Sequence, residues 1–268
     1  MIVISTRKDF TDADHLCENR VIKEITLPVN VRDVEIPNKS LSDNEFINKL
    51  TGEKILIIVH GYNNPFKKIL KTYKKIIAEL NNEYDHIIGF AWAGGNHIND
   101  YYRAKDKIDG VGDELKNIID LLVNNSKIVD VMAHSLGNAV VFDAFKEENT
   151  IARNLFSFAA AVNNDSLNKD GLYNNVTNNV KDIFICYSKR DSVTGIIYKT
   201  ANMDFTHGTL GHELPLDLEY FVSEIDNVHF INCSNVISKH GAYKNSSNIY
   251  SFVRDMLKFD HNFTFKTL

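Results

Sequence analysis

The stretch Ile128-Val129-Asp130-Val131-Met132-Ala133-His134-Ser135-Leu136-Gly137-Asn138 decides the fold. A strand-length apolar run, 128–132, enters a tight turn carrying one serine and leaves it directly into a helix-like segment, 138–145. The turn forces the serine backbone into a strained geometry. The residues two before and two after it must then be small for strand and helix to approach, as Ala133 and Gly137 are. Ser135 is expected to stand exposed above the edge of a sheet. The N–H of Leu136 opens the helix, where an unpaired donor and the positive dipole end face a developing oxyanion. The bare pattern small-x-Ser-x-small is weak, and it counts here because a strand precedes it and a helix follows. The competing reading is a buried turn with a capping serine.

Outward from this turn, short apolar runs alternate with amphipathic segments from about residue 50 onward, the pattern of a mostly parallel sheet flanked by helices. Strands are predicted over 54–59, 86–92, 128–132, 155–162, 182–187 and 228–233. Phe66, Ile69, Leu70, Tyr73, Ile76, Ile77 and Leu80 share one helical face, and Leu115, Ile118, Ile119 and Leu122 another. A last helix is predicted through Ile249, Phe252, Val253, Met256 and Leu257, capped at Asn245 or Ser246. Before residue 50 we expect a short strand at 2–5, a polar segment to about Arg20, and antiparallel edge strands within 25–36. With no repeat and no linker rich in Gly, Pro or Ser, the expectation is a single domain over 1–268.

The 268 residues are 44% hydrophobic, with a formal net charge of −5 and both signs interspersed. That mixture speaks against a nucleic-acid binder or a polybasic membrane anchor and for a small-molecule or acyl substrate. Cys17, Cys186 and Cys233 have neither CxxC nor metal-ligand spacing; an odd count fits reduced thiols in a cytoplasmic protein. No signal peptide or membrane-spanning run is read, and no metal or cofactor is expected, since His15, His86, His97, His229 and His261 show no ligand spacing. Nothing in the sequence fixes the oligomeric state.

A serine hydroxyl needs a base to take its proton and a carboxylate to orient that base. Run 182–187 leads into Ser188-Lys189-Arg190-Asp191, and run 228–233 is followed by Ser238-Lys239-His240-Gly241-Ala242-Tyr243. Asp191 and His240 are therefore the candidate acid and base, with Asp165 the rival acid and His207 and His212 the rival bases. Run 54–59 ends in His60-Gly61-Tyr62-Asn63-Asn64, making the N–H of Tyr62 the candidate second oxyanion donor. His60 is read as structural, bonding loop backbone, and His134 as pointing away to fix the turn.

Taken together, His60-Gly61-Tyr62-Asn63-Asn64, Phe90-Ala91-Trp92, Ala133-His134-Ser135-Leu136-Gly137-Asn138, Tyr187-Ser188-Lys189-Arg190-Asp191 and His240-Gly241-Ala242-Tyr243 resemble the α/β-hydrolase superfamily. Within it they look like a bacterial branch with an HGFNN-like oxyanion loop, an AHSMGN-like elbow and a C-terminal His loop; Ile4-Ser5-Thr6-Arg7 resembles that branch's opening strand. Tyr62 stands for the branch's Phe, Ala91-Trp92-Ala93-Gly94-Gly95 for a serine-tryptophan-proline pattern, and Gly241-Ala242 for a serine. The resemblance implies an α/β-hydrolase fold with antiparallel N-terminal strands and acyl transfer to water through Ser135, His240 and Asp191. Trp92 and Tyr101, with Tyr62 and Tyr102, either line a pocket for an apolar acyl or aryl group or belong to the core. Segments 94–108 and 196–219 are the candidate lids. Two alternatives remain beside a carboxylic esterase: a lipase- or thioesterase-type enzyme within a larger bacterial system, and a non-catalytic interaction protein.

Overall fold

The computed structural model describes residues 1–97, 100–147, 150–202, 206–258 and 261–268. Among the described residues, nine strands form one sheet: β1 (Ile2–Lys8), β2 (Asp12–Glu24), β3 (Lys54–Val59), β4 (His86–Ala91), β5 (Ile128–His134), β6 (Ala152–Phe158), β7 (Val180–Tyr187), β8 (Val228–Asn232) and β9 (Phe265–Thr267). Their order is β2-β1-β4-β3-β5-β6-β7-β8-β9. Only β1 and β2 pair antiparallel; every other neighbouring pair is parallel. This is the α/β-hydrolase fold.

The central strands read as unbroken apolar runs because both faces of the sheet are covered. Along β3, Ile55, Ile57 and Val59 enter one core and Leu56 and Ile58 the other, the two-residue period of a strand. Helices α4 (Ile108–Asn124) and α5 (Gly137–Ala144) cover the first face. Every residue of α5 is buried, so it shows no polar face. On the other face lie α2 (Phe66–Leu80) and α9 (Ser247–Met256), whose apolar residues recur at three- and four-residue spacing.

Two strand expectations are corrected. The antiparallel edge is Asp12–Glu24, in the segment read as polar, and 25–36 is not strand. An edge strand bonded to one neighbour leaves much of its surface to water, so β2 carries charge where a central strand carries Ile and Val. Segment 25–36 instead lies over α2, where Lys74 donates to the carbonyls of Pro28 and Val29 (2.7 and 2.8 Å) and Lys67 to that of Arg32 (3.1 Å). Strand β6 ends at Phe158 rather than at 162, because Ala159 turns the chain with φ 47°.

Candidate active site

Strand β5 delivers Ser135 at φ 57°, the left-handed region in which a side-chain-bearing residue is strained. The surroundings hold it there. Its N–H donates to Phe158 O (3.0 Å), and its carbonyl accepts from Ala161 N (3.2 Å) and from the Asn138 amide (3.0 Å). Helix α5 begins against the end of β3, and only glycine allows the approach: a Cβ on Gly137 would sit 2.5 Å from His60 O and 2.9 Å from Val59 O. Gly61 meets the turn the same way, since its Cβ would lie 2.8 Å from both His134 O and Ser135 Cβ. Ser135 is not exposed to bulk water as the sequence suggested. It is 6% accessible and opens into a cavity.

The loop after β7 supplies Asp191 and the loop after β8 supplies His240. His240 Nε2 lies 2.8 Å from Ser135 Oγ, and His240 Nδ1 lies 2.8 Å from Asp191 Oδ2. Asp191 is fully buried, and its other oxygen accepts from the N–H groups of Val193 (3.0 Å) and Thr194 (3.3 Å). Burial by itself would raise the Asp191 pKa. The bond from His240, its charge when protonated and the two N–H groups outweigh that and hold the carboxyl below its ordinary value. An ionised Asp191 demands the proton on Nδ1, which leaves the Nε2 lone pair facing the serine hydroxyl.

His134 braces this arrangement. Its Nε2–H donates to the carbonyl of His240 (2.8 Å), with the ring centroids 4.7 Å apart. Burial first, and then repulsion from a protonated His240, push the His134 pKa down to about 3, so the ring stays neutral and keeps the tautomer that the contact needs.

Tyr62 lines the same cavity as Ser135 and Leu136 follows Ser135 in the chain, and among the described residues neither backbone N–H donates a hydrogen bond within the protein. The Tyr62 loop is fixed from beneath by Arg7, the last residue of the Ile4-Ser5-Thr6-Arg7 stretch. Arg7 is fully buried at the carboxyl end of β1. Its Nε donates to Trp92 O (2.8 Å), and its Nη2 donates to Asn64 O (2.8 Å) and to His60 Nε2 (3.0 Å). His60 Nδ1–H donates to Gly61 O (2.7 Å), and Trp92 N–H donates to His60 Nε2 (3.1 Å). Burial lowers the Arg7 pKa to about 10, and burial together with the Arg7 charge holds His60 well below its ordinary value. The sequence signal was a cation closing an apolar strand.

The rival acid Asp165 and the rival bases His207 and His212 have contacts of their own. Asp165 faces His207 (3.4 Å), and His212 Nδ1 lies 3.2 Å from the backbone carbonyl of Asp191. Trp92 is fully buried, stacked on His60 at 5.7 Å with its Nε1–H donating to His60 O (2.6 Å); it belongs to the core. Tyr101 packs edge-on against Tyr62 (5.5 Å) and accepts from Asn202. Neither lines the cavity at Ser135. Within the candidate lids, residues 98–99 and 203–205 lie outside the described residues.

The cavity itself has a volume of about 300 Å³ and runs between the sheet and α2 and α9, with Ser135, His240, Gly61 and Tyr62 in its wall. Ile58, Ile69, Tyr73, Met132, Phe158 and Ile249 make its apolar surface. Among the described residues, no group of three His, Cys, Asp or Glu side chains is placed to hold a metal ion, and no helix is long and apolar enough to cross a membrane.

The chain belongs to the family described as Alpha/beta hydrolase of unknown function (DUF900), whose model matches residues 38–198. Ser135 and Asp191 fall inside the match and His240 beyond it. Solved structures similar to this chain include esterase PE8, at 10% identity over 78% of this chain and 93% of that one, TM-score 0.48. The Pyrococcus furiosus esterase Pf2001 is 18% identical over 77% of this chain and 82% of its own, TM-score 0.46. MenH from S. aureus is 11% identical over 78% and 95%, TM-score 0.40. No curated protein matches the chain in sequence.

Proposed function

We propose that this α/β-hydrolase is a serine-dependent enzyme that cleaves a carboxylic ester or related acyl bond through an acyl-enzyme. The observation that carries the reading is the continuous relay from Asp191 Oδ2 through His240 to Ser135 Oγ, with 2.8 Å at each junction. Ser135 Oγ attacks the acyl carbon as His240 Nε2 takes its proton. The N–H groups of Tyr62 and Leu136 receive the oxyanion, and Asp191 stabilises the imidazolium. Collapse expels the leaving group with the proton from His240. Water then repeats the sequence: His240 takes its proton, hydroxide adds to the acyl carbon, and the proton returns to Ser135 as the acid departs.

The apolar cavity beside Ser135 supports an acyl chain over a purely polar group, which keeps lipase- and thioesterase-type substrates within the same machinery. The continuous sheet supports a single domain, and three unpaired thiols support a reducing, cytoplasmic setting.

The test is intact-mass measurement after exposure to a fluorophosphonate, followed by turnover of p-nitrophenyl esters. Wild-type protein gains one adduct, on Ser135. Ser135→Ala gains none and loses about 10⁴-fold or more in kcat with its fold retained. Labelling that persists in the alanine variant refutes the assignment.

A further inference from the structure

The cavity at Ser135 carries a charge pattern that ester hydrolysis alone does not require. Its deep wall is apolar, and the hydroxyls of Tyr73 and Tyr250 are spent on the carbonyls of Phe90 (2.7 Å) and Lys244 (3.0 Å). An anion placed there would go unpaired. Beyond the catalytic loops and the hydroxyls of Tyr73, Tyr243 and Tyr250, the side chains that bring polar atoms to the lining from α2 and the segment before α9 are those of Lys68, Thr72 and Lys244, and no described Asp or Glu lines the cavity.

Lys244 is crowded by Lys68, Lys75 and Lys71, and among the described residues none of these four ammonium groups forms a salt bridge, whereas Lys116 and Lys146 do. Lys68 Nζ donates to Asn63 O (3.0 Å) and Lys244 Nζ to Thr72 Oγ1 (3.3 Å), so each of these three-donor groups has N–H capacity left over. Partial burial, joined at Lys244 by repulsion from its neighbours, holds both below the usual lysine range. On a chain of net charge −5, this is a local concentration of unneutralised cations at the entrance to an apolar cavity. Lys71 and Lys75 are exposed on α2, whereas Lys68, exposed on the same helix, and Lys244, half-buried in the segment before α9, also belong to the lining.

We propose that the substrate is an acyl ester or thioester whose leaving group bears a carboxylate or phosphate, with the acyl chain in the cavity and the anion held at its mouth by Lys68 and Lys244. The proposal rests on the hydrolase reading and deepens it. Ammonium groups at the mouth meet charge on the leaving group, which departs outward after acylation, while the acyl chain stays on Ser135 among apolar side chains.

Two measurements test it. In the first, wild-type protein hydrolyses 4-nitro-3-(octanoyloxy)benzoate and the neutral 2-nitrophenyl octanoate, each corrected for its alkaline hydrolysis rate. The expected kcat/KM ratio favours the anionic ester by about tenfold or more, as charge-assisted hydrogen bonds to two lysines imply. That ratio falls towards one in the Lys68→Gln/Lys244→Gln variant and in about 0.5 M salt. A ratio near one in wild type, or one untouched by the double substitution, overturns the proposal while leaving the hydrolase reading standing. In the second, Ser135→Ala protein is titrated calorimetrically with octyl phosphate and with 1-octanol. Octyl phosphate is expected to bind about tenfold more tightly, and the preference to vanish when both lysines are replaced; equal affinity for the two probes overturns the anion site. If octyl phosphate binds as expected to the Ser135→Ala protein while no fluorophosphonate labels the wild type, the anion site stands and the hydrolase reading fails.

Discussion

Asp191→Asn separates orientation of the base from every other role of the acid loop. The substitution keeps size and shape, so its effect is set by which end of the amide faces which partner. One Asp191 oxygen accepts two backbone N–H groups, from Val193 at 3.0 Å and Thr194 at 3.3 Å. The asparagine oxygen stays with those two donors, and its NH₂ is left facing His240 Nδ1, where the carboxylate now stands at 2.8 Å. A donor there compels Nδ1 to accept, which moves the imidazole proton to Nε2 and points it at Ser135 Oγ. The base then has no lone pair for the serine proton. Loss of the correct tautomer in a triad of this kind costs about 10⁴ in kcat, equivalent to about 5.5 kcal/mol at about 1.4 kcal/mol per decade. The fold loses less, about 1.5–3 kcal/mol for a hydrogen bond to a charged group. The assay is single-turnover acylation by an activated ester, with circular dichroism and urea unfolding on the same samples. Asp165→Asn is the control: that carboxyl is partly exposed and faces His207, so its rate is expected to stay within about threefold of wild type. Equal losses in the two variants, or a greater loss at Asp165, would refute this account of the acid.

Two further outcomes follow from the geometry. His240→Ala should remove most turnover, because His240 Nε2, 2.8 Å from Ser135 Oγ, is the group placed to accept its proton. His207→Ala and His212→Ala should alter KM or substrate preference at most, and loss of all turnover in either would place the base there instead. The second concerns acid stability. His134, ordinarily near 6.5, is held at about 3 in the folded chain, and His60 is lowered in the same direction. A lowered histidine contributes fully above about pH 6.5 and progressively less as pH falls, because the unfolded chain takes up a proton that the folded chain refuses. His134 alone then makes stability fall by about 1 kcal/mol per pH unit below 6.5, somewhat less than the full linkage value because the ring is partly exposed. Urea unfolding between about pH 7 and 5 should show a shallower decline for His134→Gln, which keeps a donor for His240 O; an unchanged slope removes His134 as a source of acid lability.

The central strands and the serine turn were legible for the same reason: burial on both faces writes itself as continuous Ile, Val and Leu, and a left-handed serine needs small neighbours. Strand β3 falls on the predicted residues 54–59. Edge elements are written more faintly. Strand β2 is full of Asp, Glu and Lys, while β9 is three exposed residues at the far edge. In the candidate site, the residues brought within hydrogen-bond reach lie at strand ends, where chain order alone predicts proximity. Arg7 and the lysines of the cavity mouth were not legible, since their significance depends on burial and on what stands beside them. An interspersed charge pattern in one dimension conceals cations that the fold gathers in three.

The Arg7 contacts have a consequence for assembly. The guanidinium reaches the Tyr62 loop only once β1 has added alongside β4, whose partner residues lie some 86 positions later in the chain, and His240 arrives only after β8 has joined the opposite half of the sheet. A working centre thus draws on strands from both halves of the sheet at once. Partial folds that keep the central strands and the serine turn still lack either Arg7 beneath the Tyr62 loop or His240 beside Ser135, so the proposed activity would belong to the completed sheet and not to any segment that folds first.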